Sequence, residues 1–186
     1  MTEAWIGLGS NMGDRRASIF EALERIDALE GVSVALISTL LESKPVDVVD
    51  QPDFVNAVAR LRTTLKPHVL LESLLAVEET MGRKREGMEP RGPRGIDLDL
   101  LLFEDVVMHE DAFQLPHARM HRRAFVLVPM VELAPDLVHP VLGKTMQVLL
   151  AEDIVEGGPI ESRCRPLPPE PLHHALEDDC LEELDS

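Results

Sequence analysis

Apolar and polar positions recur along this chain with enough regularity to mark most of its elements. Ala4-Trp5-Ile6-Gly7-Leu8-Gly9 reads as a first strand, and Ser10-Asn11-Met12-Gly13-Asp14 as a turn whose Asp14 caps the helix after it. Ile19, Ala22, Leu23 and Ile26 fall at helical spacing, and Gly31 is placed to stop that helix. Val32 to Leu41 alternates as a strand, while Pro45 and Pro52 make residues 42–52 a loop. Phe54 to Thr63 predicts another strand, with Val55, Ala57, Ala59 and Leu61 on one face and Phe54, Asn56, Arg60 and Arg62 on the other. A second helix starts near Pro67, carries Leu70, Leu71, Leu74, Leu75 and Val77, and ends at Gly82. A basic loop from Arg83 to Gly95 leads into a strand through Asp97 and Asp99, and a short strand at Val106-Val107-Met108 follows it. Arg123 to Leu133 and Thr145 to Leu150 read as further helices.

The order β-α-β-β-α-β predicts an α+β fold of the ferredoxin-like kind, a mainly antiparallel sheet with two helices over one face. Residues 1–156 are expected to form one domain. From 157 to 186 prolines and acids replace large apolar residues, so that segment is expected to be a mobile tail, with a short helix conceivable at 172–184.

Charge sharpens this division. Of a net charge of −16, residues 152–186 supply eleven acids against two arginines, yet eight of the Lys and Arg of residues 1–151 lie between Arg83 and Arg123. Basic charge focused in an acidic body favours a small anionic ligand over long nucleic acid. Cys164 and Cys180 lack Cys or His neighbours at zinc-ligand spacing, and neither a signal-like start nor a run of about eighteen apolar residues is present. A soluble cytoplasmic protein with no membrane partner is expected.

The chemistry concentrates at Asp97 and Asp99. Alternation along a strand puts both carboxylates on one face while Ile96, Leu98 and Leu100 point to the core. Like charges so close call for a raised pKa, a cationic partner or a divalent ion, and Arg83, Lys84, Arg85, Arg91 and Arg94 are donors suited to phosphate oxygens. A metal-bound polyphosphate between carboxylates and arginines satisfies both sets. Gly7-Leu8-Gly9-Ser10-Asn11-Met12-Gly13 has the wrong spacing for a dinucleotide fingerprint, no P-loop occurs, and His117 and His121 lack the intervening Glu of a zinc helix. Asn56, taken alone, reads as a buried amide satisfied by backbone, and Phe125, on spacing alone, as core.

Several blocks occur together: Gly9-Ser10-Asn11 with Gly13-Asp14, Gln51-Pro52-Asp53-Phe54-Val55-Asn56, Gly82-Arg83-Lys84-Arg85, Gly92-Pro93-Arg94-Gly95-Ile96-Asp97-Leu98-Asp99, Leu115-Pro116-His117, and Arg123-Ala124-Phe125-Val126 with Glu132-Leu133-Ala134-Pro135. In these the chain resembles the 6-hydroxymethyl-7,8-dihydropterin pyrophosphokinases of the folate pathway, over residues 4 to about 150. The resemblance implies transfer of a pyrophosphoryl group from ATP to the pterin hydroxymethyl oxygen with release of AMP. It implies that Asp97 and Asp99 hold two Mg²⁺ ions, that Arg83 and Arg94 neutralise charge on the transferred group, and that Glu78, Arg85, His117 and Arg123 lie at the nucleotide. For the pterin it implies a sandwich by Phe54 and Phe125, with Asn56, Ser43 and Val46 reading the ring edge. A monomer is expected, a weak dimer being the alternative. The loop before Gly92 is one residue longer than in that family, and Gly95 stands where Thr is common. A pterin aldolase and a nucleotide-sensing module without chemistry are the rivals, and neither explains the aspartate pair.

Overall fold

The computed structural model describes residues 1–45, 51–82, 95–110 and 113–168. Its sheet grows from β1 (Thr2–Ser10). In α1 (Arg15–Asp27) the Asp14 carboxylate accepts the Ala17 N–H at 3.0 Å, which satisfies one of the free donors of the first turn and stabilises the helix by about 0.5–2 kcal/mol. Its buried residues are Ile19, Ala22, Leu23 and Ile26, as the spacing predicts.

Where alternation predicts one strand over 32–41, the structure has β2 (Val32–Ile37) and β3 (Leu41–Ser43), both antiparallel to β4 (Phe54–Thr63). Ser38 is the reason. Its N–H donates to the Val58 carbonyl and its Oγ accepts from the Val58 N–H, each at 3.0 Å, so a hydroxyl replaces a backbone carbonyl in the ladder and the chain bends without leaving β4. The strand then resumes inside the stretch that the prolines mark as loop.

Next come α2 (Pro67–Thr80), β5 (Asp97–Phe103), a separate hairpin of β6 (Met108–Glu110) and β7 (Phe113–Leu115), α3 (Ala124–Leu133), α4 (Met146–Gly157) and β8 (Cys164–Pro166). The short strand expected at 106–108 begins two residues late because the chain turns first, with Glu104 at φ 47° and the Val106 N–H bonded to the Phe103 carbonyl. The helix expected at 145–150 runs on to Gly157. β1 is paired on both sides, giving the order β5-β1-β4-β3-β8 with β2 also on β4, all antiparallel. This is the ferredoxin-like arrangement the element order predicts.

Both sheet faces are covered. Ile6 and Leu8, Ala57 and Leu61, and Leu98 and Leu100 pack with α1 and α2. On the other face Trp5, Val58 and Leu101 pack with Leu127 and Met130 of α3 and Leu149 of α4. Beyond the boundary placed at 156, Cys164–Pro166 return to the sheet as β8 on β3, and three residues of strand among prolines and acids are too short for alternation to reveal. The expected helix at 172–184 lies outside the described residues. Among the described residues no helix is long and apolar enough to cross a membrane.

Candidate active site

Along β5, burial alternates: Leu98 and Leu100 are buried, while Asp97 and Asp99 are half-buried on the face away from α1 and α2. The register sets Gly9 of β1 between Asp97 on one side and Asn56 on the other, and Gly7 between Asp99 and Val58. Carboxylate, glycine and amide thus form one row across three strands. A Cβ at Gly9 would lie 3.3 Å from Asn56 Oδ1 and 3.9 Å from Asp97 Cβ, so glycine is what keeps the middle of the row open. The row floors a cavity of about 440 Å³, which also reaches Ser43, Phe54, Arg119, Arg123 and Phe125.

Asn56 is buried and donates from Nδ2 to Ser43 Oγ at 2.8 Å, which fixes the amide plane. On the opposite wall Arg123, the N-cap of α3, donates from Nη1 to Asp99 Oδ2 at 3.3 Å, and its guanidinium carbon lies 5.6 Å from the centre of the Phe125 ring. His117 Nε2 stands 3.9 Å from the same carboxylate oxygen. Because His117 Nδ1 accepts the Arg119 N–H at 3.2 Å, the proton of the neutral ring is on Nε2, the nitrogen that faces Asp99. Burial pushes the His117 pKa below the usual histidine value; the Asp99 charge opposes this, and Arg123 and Arg119 reinforce it.

The segment before β4 is tied to the start of α1. Asn11 Nδ2 donates to Gln51 Oε1 at 3.1 Å and to the Pro52 carbonyl at 3.3 Å, and Arg15 Nη1 donates to the Asp53 carbonyl at 2.7 Å. Those bonds hold the backbone from which Phe54 enters the cavity wall.

The donor set suits a hard divalent cation that shares its shell with a ligand. Asp97 and Asp99 offer oxygen donors to the cavity, and among the described residues no group of three or more His, Cys, Asp or Glu side chains is placed to hold a metal. A pair of carboxylates facing a cavity fits Mg²⁺, which keeps waters and phosphate oxygens around it.

The structure brings together Asp97, Asp99, Ser43, Phe54, Asn56, Arg123 and Phe125 in one cavity, with His117 beside Asp99. It extends one reading made from local sequence and corrects another: Phe125 packs against the core under α3 and also lines the cavity, and Asn56 bonds a side chain, not backbone. Glu78 has a structural partner as well. That residue is buried at the end of α2, where Oε1 accepts the Leu98 N–H at 2.7 Å, so it braces the strand that carries the aspartates. Val46, Arg83, Arg85 and Arg94 lie outside the described residues. Gly7, Gly9 and Gln51 line the cavity, and no local signal in the chain separates them from turn glycines or a loop amide.

The family model for 7,8-dihydro-6-hydroxymethylpterin-pyrophosphokinase matches residues 5–135. The chain is 42% identical over 152 residues to the 2-amino-4-hydroxy-6-hydroxymethyldihydropteridine pyrophosphokinase of Methylorubrum extorquens, covering 82% of this chain and 94% of that one. It is 39% identical to the folic acid synthesis protein fol1 of Schizosaccharomyces pombe over 79% of this chain, but spans only 20% of that longer protein. The solved HPPK-DHPS chain of Plasmodium falciparum superposes with a TM-score of 0.69 at 14% identity, covering 89% of this chain and 48% of that one, which shows a shared fold. The chain belongs to the 7,8-dihydro-6-hydroxymethylpterin-pyrophosphokinase family.

Proposed function

We propose that this chain transfers the pyrophosphoryl group of ATP to the hydroxymethyl oxygen of 6-hydroxymethyl-7,8-dihydropterin, as its family does in folate synthesis, with the residues of the row described above. The observation that carries the reading is the row itself. Asp97 and Asn56 sit two strand spacings apart, about 10 Å, across a glycine floor, a span that a bicyclic ring and its one-carbon arm bridge. The carboxylate end suits cation-bound phosphate, and the amide end, with Phe54 and Phe125 nearby, suits a flat heterocycle.

In this reading Asn56, held by Ser43, and the backbone around Ser43 and Val46 read the pterin edge while the two phenylalanines stack on its faces. Asp97 and Asp99 would hold two Mg²⁺ ions, whose contribution is to neutralise phosphate charge as the hydroxyl oxygen approaches the β-phosphorus. Arg123 and the Nε2–H of His117 donate to phosphate oxygens, and Arg83, Arg85 and Arg94 are assigned to the same charge by resemblance. The oxygen–phosphorus bond forms as the α,β-bridging bond breaks, AMP leaves with the bridging oxygen, and the hydroxyl proton is released. Orientation and charge neutralisation supply the rate, since the chain has little covalent chemistry to do. The reaction is assigned to a monomer in the cytoplasm.

Incubation with ATP, Mg²⁺ and the reduced pterin should yield AMP and pterin pyrophosphate in equal amounts. Release of ADP, or binding of ATP with no turnover, would sink the proposal and favour a nucleotide-binding module.

A further inference from the structure

Residues 158–168 lie beyond the stretch that the family model matches, yet they are wired into the pterin side of the cavity. The segment begins where α4 ends. Gly158 turns the chain at φ 83°, and Arg163 folds back so that its Nη1 reaches the buried Asp153 carboxylate at 2.7 Å and its Nη2 reaches the Gly158 carbonyl at 2.9 Å. Glycine at 157 makes that possible, because a Cβ there would meet Arg163 Nη1 at 2.6 Å. A buried carboxylate with its own arginine is an anchor, not the ornament of a loose tail.

From this anchor the chain runs antiparallel along β3, with Cys164 opposite Ser43, Arg165 opposite Glu42 and Pro166 opposite Leu41. The Leu167 N–H then donates to the Leu40 carbonyl at 2.8 Å, and Arg16 of α1 donates to the Pro168 carbonyl. Without this segment β3 would be a three-residue edge. Cys164 is buried with Leu41 and with Ala124, the residue between Arg123 and Phe125, so the strand also touches the start of α3. Arg165 donates twice to Glu42 Oε2, at 2.6 and 3.0 Å, while Glu42 Oε1 pairs with Arg15 at 3.1 Å. Arg15 in turn holds the Asp53 carbonyl just before Phe54. The carboxylate between these two guanidiniums has a pKa below the usual range, Arg165 contributing most and Arg15 adding to it.

We propose that residues 158–168 are a positioning element for the pterin half of the active site, acting through Ser43 by strand pairing, through Phe54 by the chain Arg165–Glu42–Arg15–Asp53, and through Phe125 by the Cys164–Ala124 contact. Three of its links lead to the amide and phenylalanine end of the row, and its one approach to the aspartate end is through Ala124, the neighbour of Arg123. The segment therefore bears chiefly on the heterocycle seat. This inference rests on the pterin reading of the cavity.

The test compares the full chain with chains ending at Pro168 and at Gly157, and with Arg165→Ala and Arg165→Lys in the full chain. Melting temperature, AMP formation, KM for each substrate and direct binding of the pterin are measured for all five. The chain ending at Pro168 should match the full chain. The chain ending at Gly157 should bind pterin about tenfold more weakly, with KM for ATP within about twofold, since what is lost is preorganisation of one subsite. Arg165→Ala should raise pterin KM about threefold at unchanged melting temperature, and Lys should recover part of it. Unchanged pterin binding in the folded Gly157 chain overturns the inference, as do substrate constants that rise together. Should that chain fail to fold, an unchanged pterin KM in Arg165→Ala overturns it alone. Absence of AMP from the full chain would count against the reaction assigned above, while the pterin-binding comparison still decides the role of the segment.

Discussion

At the scale of single residues, the site depends on what is absent as much as on what is present. Gly9→Ala would press a methyl group to 3.3 Å from Asn56 Oδ1, so the amide must shift against its bond to Ser43. Pterin affinity is expected to fall about tenfold while the melting temperature stays close to that of the parent, a pattern that titration and calorimetry can separate. Equal pterin affinity in the variant would mean that the floor of the row is not where the ring lies. Asp97→Ala and Asp99→Ala are expected to lower AMP formation roughly a thousandfold or more without unfolding the chain, because each removes a proposed metal ligand from a half-buried position. Near-normal turnover in either variant rules out the metal assignment. His139 offers a different readout. It is buried, its Nδ1 accepts from the Val141 and Leu142 N–H groups at 3.3 Å each, and burial with the neighbouring His121 pushes its pKa below the ordinary 6.5. The unfolded chain therefore takes up this proton first. Stability should be level above about pH 6.5, decline as pH falls through that value, and flatten below the folded-state pKa. His139→Gln should show a shallower loss of melting temperature between about pH 7 and pH 5, and equal slopes would refute the assignment.

At the scale of elements, α2 and β5 are joined by one buried carboxylate. Glu78 accepts the Leu98 N–H, and the strand that begins there carries both aspartates. Glu78→Ala leaves that donor buried without its acceptor and is expected to cost about 1–3 kcal/mol in urea unfolding. Activity should fall as well, with Glu78→Gln milder in both respects because an amide oxygen can still accept. An alanine variant as stable as the parent would show that the strand start is held by other contacts. β2 and β3 make a related point. Alternation over 32–41 is genuine, but Ser38 places its hydroxyl into the β4 ladder and bends the strand, which delivers Ser43 to Asn56. A serine in a strand carries no local mark that its side chain, and not its carbonyl, will meet the neighbour. That decision belongs to β4.

At the scale of the whole molecule, a chain of net charge −16 holds Arg119, Arg122 and Arg123 around one cavity. Such a focus attracts a polyphosphate at a distance and leaves a neutral ring indifferent. Raising salt from about 0.05 M to about 0.5 M should therefore raise KM for ATP several-fold and leave pterin KM nearly constant; parallel changes would deny the focus its role. The sequence by itself determined the core order β-α-β-β-α-β, hence the ferredoxin-like sheet, because strand and helix periods and the Asp14 cap are local properties of the chain. It also determined that Asp97 and Asp99 share a face, since two residues apart on a strand is a covalent constraint. Tertiary structure alone decided that Gly9 separates Asp97 from Asn56, that the α3 core ends at a cavity where Phe125 meets both, that Glu78 braces β5, and that Cys164–Pro166 join the sheet. Each of those facts is a pairing between segments distant along the chain, as when Arg165 meets Glu42 across 123 positions. Register and packing between segments choose such partners, and neither is encoded in the spacing within any one of them.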